Sequence, residues 1–145
     1  MPPNSTIGRD EQLKIESAIT DAELMTSGEI RLFIERHCQG NVMDRAAFIF
    51  HEVGMDQTAE RNGVLIYLAT ESRQFAIIGD SGIHKHVGDE LWHTVRTEMQ
   101  HYFIIGDLCS GIIHGILAAG EALGRYFPRK ADDRDELSNE IVFGK

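Results

Sequence analysis

The chain has 145 residues, of which 42% are hydrophobic, and a formal net charge of −9. This length and composition are typical of one domain with a single core. The acidic balance argues against nucleic acid as a partner, because phosphate binding requires clustered lysine and arginine side chains. It favours metal ions or basic proteins instead.

The sequence also argues against a membrane span. Residues 1–20 lack the basic start and apolar stretch of a secretory signal, and no window approaches the roughly 20 apolar residues that cross a bilayer. We therefore expect a soluble, cytoplasmic protein. Cys38 and Cys109 lie far apart and lack metal-type spacing, which favours buried or unreactive thiols over a disulfide or a thiolate site.

The first half of the chain predicts a helix, a strand and a second helix. Residues 10–25 place apolar side chains at helical spacing among charged ones, and we expect Gly28 to end this amphipathic helix. Residues 29–37 alternate apolar and polar side chains, which is the period-two pattern of a strand. Residues 44–53 have the composition and length of a short helix.

The second half predicts a hairpin followed by two long helices. Residues 63–69 are an uninterrupted apolar run, typical of a central strand that is covered on both faces. Residues 74–78 follow after a tight turn and are its expected hairpin partner. Residues 89–103 and 107–126 carry apolar side chains at spacings of three and four, which predicts two helices.

The two ends of the chain differ in composition from its middle. We expect residues 1–9 to be a flexible N-terminus and residues 128–145 to be a polar C-terminal tail. The tail ends in a small apolar group at residues 141–143, which is suited to docking on the folded part. The domain between these ends is predicted to span residues 10–127.

Several motifs in this domain together resemble one known family. They are S-G-E-I at 27–30, N-G-V-L-I-Y-L at 62–68, the strand end at Gly79 to Gly82, the helix opening at Asp89, and F-I-I-G-D at 103–107 followed by G-I-I-H-G. Their order and spacing resemble the TPM domain, a family named for a thylakoid acid-phosphatase-like protein. The resemblance covers roughly residues 10–127, and we expect a stand-alone bacterial member without the signal peptide, transmembrane helix or glycine-rich tail of many relatives.

The resemblance implies an α/β fold, a three-layer α/β/α sandwich with a short mixed central sheet flanked by helices. It also implies a groove at one sheet edge where acidic residues bind divalent cations, notably calcium. Family members are linked to phosphatase activity and to repair of membrane protein complexes. The acidic position after the family's glycine turn is His84 in this chain, which leaves the ligand geometry open.

Acidic residues at the ends of the predicted elements are the candidate calcium ligands. Calcium takes six to eight oxygen ligands from carboxylates, carbonyls and waters, so carboxylates carried on loops suit it. If the element ends meet at one edge of the sheet, these side chains form a shared site; otherwise they are helix caps and solvated turn residues. The candidates are Glu29, Asp80, Asp89 and Asp107, with Asp56 and Glu60 in a nearby polar turn as further donors.

The same residues leave other functions open. Metal-bound water beside these carboxylates, with Arg61 or Arg31 holding phosphate oxygens, would make a weak metal-dependent acid phosphatase. Exposed helix faces and the apolar end of the tail would instead suit a protein-interaction module that recruits a protein partner. A zinc site would require three or four of the histidines between His84 and His114 to converge, which their spacing does not demand.

Overall fold

The computed structural model describes residues 7–129 and 140–144. These residues form four helices and four strands, with a short 3₁₀ turn (Met55–Gln57) before the second strand. The helices are α1 (Arg9–Glu23), α2 (Val42–Glu52), α3 (Ser81–Ile104) and α4 (Leu108–Tyr126), and the strands are β1 (Glu29–Glu35), β2 (Gly63–Ala69), β3 (Gln74–Gly79) and β4 (Val142–Phe143).

The four strands form one mixed sheet in the order β3-β2-β1-β4. β1 lies parallel to β2, with Glu29 beside Gly63. β2 and β3 form the predicted antiparallel hairpin, in which Val64 pairs with Gly79. A parallel pair needs a crossover connection, and α2 supplies it between β1 and β2.

Helices cover both faces of the sheet. On one face, α1, α3 and α4 pack against Ile30, Leu32 and neighbouring apolar side chains in the larger core. On the other face, α2 packs against Phe33 and Tyr67 in a smaller core. All seven residues of β2 are buried, because this central strand is covered on both sides. The result is the α/β/α sandwich that the family resemblance implies.

The long helix α3 begins at Ser81 rather than at Asp89, where the sequence pattern placed its start. Asp80 caps this earlier turn, since its carboxylate accepts a hydrogen bond from the Ser81 N–H. Gly88 then interrupts the helical geometry with a φ of 65° and a ψ of −169°. Because glycine tolerates this left-handed φ, the chain kinks there and a second helical segment continues from Asp89.

The first helix also ends earlier than predicted, at Glu23 instead of Gly28. The Glu23 carboxylate accepts a 2.8 Å hydrogen bond from the backbone N–H of Ile30, at the start of β1. The backbone N–H of Ser27 donates to the Phe127 carbonyl at 2.9 Å. These contacts hold the turn of residues 24–28, which connects the end of α1 to the start of β1.

The C-terminal apolar group completes the sheet. Val142 and Phe143 pair with Phe33 and Ile34 of β1, and Ile141 is only 7% exposed. The expected docking of this group therefore takes the form of a fourth strand. Most of the N-terminus that we predicted to be flexible, residues 1–6, lies outside the described residues, as do residues 130–139 and Lys145 of the predicted polar tail.

A buried carboxylate ties α2 to the sheet. Glu35 is 5% exposed and accepts two 2.9 Å hydrogen bonds from the Arg45 guanidinium, together with one from the Tyr67 hydroxyl. Burial opposes ionisation of Glu35, but the bonds from Arg45 and Tyr67 outweigh it and hold the pKa of this carboxyl below its ordinary value. These hydrogen bonds account for the burial of this carboxylate and give Glu35 a structural role.

Two further expectations concern cysteines and membranes. Both cysteines are free thiols; Cys109 is buried and Cys38 is partly buried. Within residues 7–129 and 140–144, no helix combines the length and the apolar character needed to cross a bilayer.

The contribution of β4 to stability can be tested with two isoleucines of different exposure. We predict that Ile141→Ala lowers the free energy of unfolding by about 2 kcal/mol, because it removes a buried side chain. Ile104 is 75% exposed, so Ile104→Ala is the matched control and should change stability by less than about 0.5 kcal/mol. Urea unfolding followed by circular dichroism measures both; equal effects would mean that the C-terminal strand does not stabilise the fold.

Candidate cation site at one end of the sheet

Three strand ends meet at one end of the sheet. Glu29 begins β1, Gly63 begins β2, and Asp80 follows β3. The Glu29 N–H donates to the Asn62 carbonyl at 3.4 Å, and the Asp80 N–H donates to the Gly63 carbonyl at 2.9 Å. Both acidic residues thus lie directly beside Gly63, one on each side. Their Cα atoms are roughly 10 Å apart, which is two strand spacings.

The carboxylates of Glu29 and Asp80 lie on the same face of the sheet. Neighbouring residues in register project to the same side, and the Cβ position of Gly63 faces Phe50 of α2. Glu29 and Asp80 therefore both lie on the α2 side. Glu29 is 2% exposed and Asp80 is 7% exposed. The structure brings these two predicted ligands together.

Arg61 neutralises Asp80 from the neighbouring loop. Its guanidinium donates two hydrogen bonds to the Asp80 carboxylate, at 2.7 and 2.9 Å, and this contact raises the pKa of Arg61 above its ordinary value. The Ser81 N–H adds a third bond to Asp80, at 2.7 Å. The Arg61 side chain is 52% exposed, whereas Asp80 is buried. The arginine is thus the solvent-facing half of this ion pair.

Glycines allow the segment before β2 to pass close to its neighbours. A Cβ on Gly82 would lie 2.1 Å from the Glu60 carbonyl oxygen and 2.5 Å from that of Arg61. A Cβ on Gly28 would lie 2.9 Å from the Asn62 carbonyl oxygen. No larger residue fits at such distances, so both glycines are required by the close approach of backbone to backbone. Main-chain carbonyl oxygens of residues 60–62 therefore gather at this end of the sheet.

Asn62 is a site residue that the sequence analysis missed. It is 1% exposed, and its backbone N–H donates to the Thr58 hydroxyl at 3.2 Å. Its side-chain Oδ1 is buried and has no hydrogen-bond partner among the described residues. Buried polar atoms nearly always have partners, so such an atom commonly marks a place for water or a ligand. The signal was the Asn-Gly step immediately before the apolar strand.

The structure places Asp107 far from this cluster. Asp107 caps α4 and accepts a 3.1 Å hydrogen bond from the Ser110 N–H, which holds its pKa below the ordinary value. The other end of α4 contacts the turn before β1, where Ser27 donates to the Phe127 carbonyl. Nineteen residues of helix separate the two ends, a length of roughly 28 Å. Asp107 therefore lies at the opposite end of the sheet.

Asp89 is the exposed member of the predicted set, and it lines a cavity together with Gly79 and Ser81, the two chain neighbours of Asp80. Its side chain is 98% exposed and stands on α3, with Oδ1 3.6 Å from Nε2 of His84. That cavity lies beside the outer edge of β3. Of the four predicted ligands, Glu29 and Asp80 are the two that are buried at the sheet end.

The two acidic residues of the polar turn have different surroundings. Asp56 contacts Nδ1 of His51 at 2.6 Å, and this hydrogen bond holds the pKa of Asp56 below and that of His51 above their ordinary values. Glu60 is exposed, and its Oε2 accepts a 3.4 Å bond from the Ser27 hydroxyl, two residues before Glu29. Glu60 is therefore a third carboxylate near the sheet end, whereas Asp56 is paired elsewhere.

Histidine, cysteine and acidic side chains do not form a metal cluster by themselves. Across the described ranges, no group of three or more such residues is arranged to hold an ion. The histidines make separate contacts: His86 stacks on Tyr126, and His114 lies 3.2 Å from Glu98. Any ion at the sheet end would therefore need amide and main-chain oxygens in addition to carboxylates.

This chain is similar in sequence and in fold to known proteins. The sequence profile of the TPM domain matches residues 3–122. The chain belongs to the TPM domain family. The BA42 protein from the psychrophilic bacterium Bizionia argentinensis, known from an NMR structure, is 47% identical over 94% of both chains, with a TM-score of 0.88. This assignment confirms the resemblance that the motifs indicated.

A more distant solved structure supports the fold alone. The N-terminal domain of a protein from P. gingivalis shares a TM-score of 0.66 at 16% identity, over 85% of this chain and 80% of its own. No curated protein matches the chain.

The close approach at Gly82 can be tested by adding one methyl group. We predict that Gly82→Ala lowers the free energy of unfolding by about 2 to 3 kcal/mol, because the new Cβ would collide with backbone oxygens that cannot move independently. Gly8→Ala is the control, since its Cβ would meet no atom closer than 3.8 Å; its effect should stay within about 1 kcal/mol. Urea unfolding curves measure both, and a Gly82→Ala protein as stable as the parent would refute the tight packing.

Proposed function

We propose that this TPM domain binds a divalent cation, most suitably calcium, at the sheet end between Glu29 and Asp80. The observation that supports the proposal is a pair of buried carboxylates on one face of the sheet, flanking a glycine that has no side chain. Met55 packs over Gly63, with its carbonyl oxygen 2.9 Å from the position that a Cβ would take there, so the ion would lie beyond the strand ends, between the two carboxylates. A doubly charged ion there offsets the cost of keeping two buried carboxylates ionised.

Arginines supply the compensating charge when no cation is bound. Arg61 forms the bidentate pair with Asp80, and Arg31 lies near enough to Glu29 to interact with its charge. Burial lowers the pKa of Arg31, and the neighbouring Glu29 and Glu23 partly offset this effect. The site thus already favours positive charge over its two carboxylates, and a cation takes over the part that Arg61 plays at Asp80.

The available ligand atoms favour calcium over zinc. The sheet end offers the carboxylates of Glu29, Asp80 and Glu60, together with main-chain carbonyls of residues 60–62. Calcium accepts a mixed set of six to eight oxygens in flexible geometry and completes it with water. Zinc prefers nitrogen and sulfur ligands in a tetrahedron. A set of oxygens drawn from three chain segments therefore fits calcium.

Competition with Arg61 sets the affinity. An ion at Asp80 must displace two charge-assisted hydrogen bonds, and the half-exposed guanidinium then turns into solvent. We therefore expect a dissociation constant of about 10⁻⁴ to 10⁻³ M, the weak end of the range for protein calcium sites.

A metal-dependent phosphatase reaction is the second candidate function, and the position of Arg61 favours it. Once released from Asp80 and turned into solvent, the guanidinium would be free to hold two oxygens of a phosphate that approaches the ion. The ion would polarise the ester and lower the pKa of a bound water. Arg61 therefore has opposite effects in the two functions, since it opposes cation binding but would assist phosphate turnover.

Substitutions of two aspartates and one arginine by asparagine test the binding proposal. We predict that Asp80→Asn weakens calcium binding at least about tenfold, because a ligand carboxylate is lost while asparagine still caps α3. Asp107→Asn is the matched control, also a helix cap changed to asparagine, and should bind as the parent does. Arg61→Asn should bind about threefold to tenfold more tightly, because the competing cation is gone and asparagine tolerates the φ of 53° at this position.

Amide NMR titration with calcium chloride at constant ionic strength measures all four proteins. The proposal predicts saturable shifts around Glu29, Asn62 and Asp80 in the parent. It is wrong if millimolar calcium leaves these amides unmoved or if Arg61→Asn weakens binding. Hydrolysis of a chromogenic phosphate ester that needs the ion and is lost in Arg61→Asn, in spite of tighter calcium binding, would establish the phosphatase function in addition.

A further inference from the structure

In the described part of the chain, β3 has a strand neighbour on one side only. Among residues 7–129 and 140–144, β2 pairs with its inner edge and no strand covers its outer edge. Bonded pairs alternate along an antiparallel ladder, and the Asp80 N–H donates to the Gly63 carbonyl. The main-chain N–H and C=O groups of Phe75, Ile77 and Gly79 therefore point away from β2. A row of such groups is a template for another strand.

A groove follows this edge between α2 and α3. Three cavities of about 580, 310 and 570 Å³ succeed one another along β3. The first two share Arg73 and Phe75 in their walls, and the second and third share Arg96. They therefore form one continuous depression beside a strand of six residues. Its length of roughly 20 Å suits an extended peptide.

The two walls of the groove differ in chemistry. α2 contributes the apolar side chains of Val42 and Met43, and Met43 is 41% exposed. α3 contributes Arg96 and His93, whose side chains lie 3.4 Å apart. Successive side chains of an added strand project alternately toward these two walls. An occupant with apolar and acidic residues in alternation therefore matches both.

The charge of the groove contrasts with the charge of the whole chain. Its charged lining residues among those described are Arg73, Arg96 and Asp89, and the histidines His84 and His93 lie beside them. The chain as a whole carries a net charge of −9. A local basic strip on an acidic protein selects an acidic partner through complementary potential.

We propose that this groove binds an extended acidic peptide, which pairs with the outer edge of β3 as an additional strand. Main-chain hydrogen bonds to Phe75, Ile77 and Gly79 supply affinity, and the alternating walls supply specificity. Acidic side chains meet Arg96 and Arg73, while apolar ones meet α2. This binding surface lies along β3, outside the pair Glu29 and Asp80, and it operates whether or not a cation occupies the sheet end.

A synthetic peptide tests the strand pairing. The probe is an acetylated and amidated eight-residue peptide in which glutamate alternates with valine, titrated into the full chain and followed by amide NMR. We predict saturable shifts centred on Phe75, Ile77 and Gly79. A lysine-valine peptide should bind at least about tenfold more weakly because of its charge. A glutamate-valine peptide with four successive N-methylated central residues should also bind at least about tenfold more weakly. The N-methyl groups remove the main-chain N–H donors on both edges of its central part.

Variants of the groove separate charge recognition from unspecific attraction. Arg96→Gln and Arg73→Asn should each weaken binding of the glutamate-valine peptide about threefold or more. Asparagine is chosen at position 73 because it tolerates the φ of 53° there. Arg125→Gln is the control, because Arg125 is 61% exposed on α4 and pairs with Glu121. This variant should bind the glutamate-valine peptide as tightly as the parent protein does.

Several results would overturn the proposal. These are no binding of the glutamate-valine peptide, equal binding of its N-methylated form, or shifts that map away from β3. Shifts along β3 that depend on protein concentration in the absence of peptide would assign the edge to a second copy of the chain instead. Equal loss of affinity in Arg125→Gln and Arg96→Gln would show only a response to net charge.

Discussion

The close passage of residues 60–62 between two other backbone segments determines the geometry of the sheet end. Gly28 and Gly82 leave no room for a Cβ beside these residues, and the separation at Gly82 would be 2.1 Å. Glu29 directly follows one of these glycines, and Asp80 lies two residues before the other. The packing that brings the segments together therefore also fixes both carboxylates. Since they stand at strand ends rather than on long loops, their spacing is set by the sheet itself.

Hydrophobic periodicity predicts most of the fold because each strand and helix buries a face that repeats locally. β2 spans the predicted residues 63–69, and the antiparallel hairpin with β3 follows from the short turn between two apolar runs. The start of α3 was missed because Gly88, a glycine inside the helix, resembles a helix boundary. In the structure Asp80 caps α3 eight residues earlier, and Gly88 only kinks the helix. β4 has two residues, too few for any local pattern to reveal that it pairs with β1.

The candidate site shows what periodicity cannot provide. Asp80 and Asp107 both cap helices, so their local sequence signals are alike. α3 runs away from the cation end and α4 returns to it, and two residues with the same local role therefore lie at opposite ends of the sheet. Helix direction in space depends on packing between distant segments, which one sequence does not display. Asn62 was missed for the converse reason: its buried side-chain oxygen becomes informative only once its surroundings are known.

Our main proposal is that Glu29 and Asp80 share one divalent ion at this end of the sheet, in place of the guanidinium of Arg61. A crystal structure grown with calcium, with data collected at a wavelength that enhances the anomalous signal of the ion, tests it most directly. The account predicts an anomalous peak between the two carboxylates, with the Arg61 side chain turned into solvent. The proposal would be contradicted by a calcium-saturated crystal in which Arg61 still pairs with Asp80 and no anomalous peak lies at this end of the sheet.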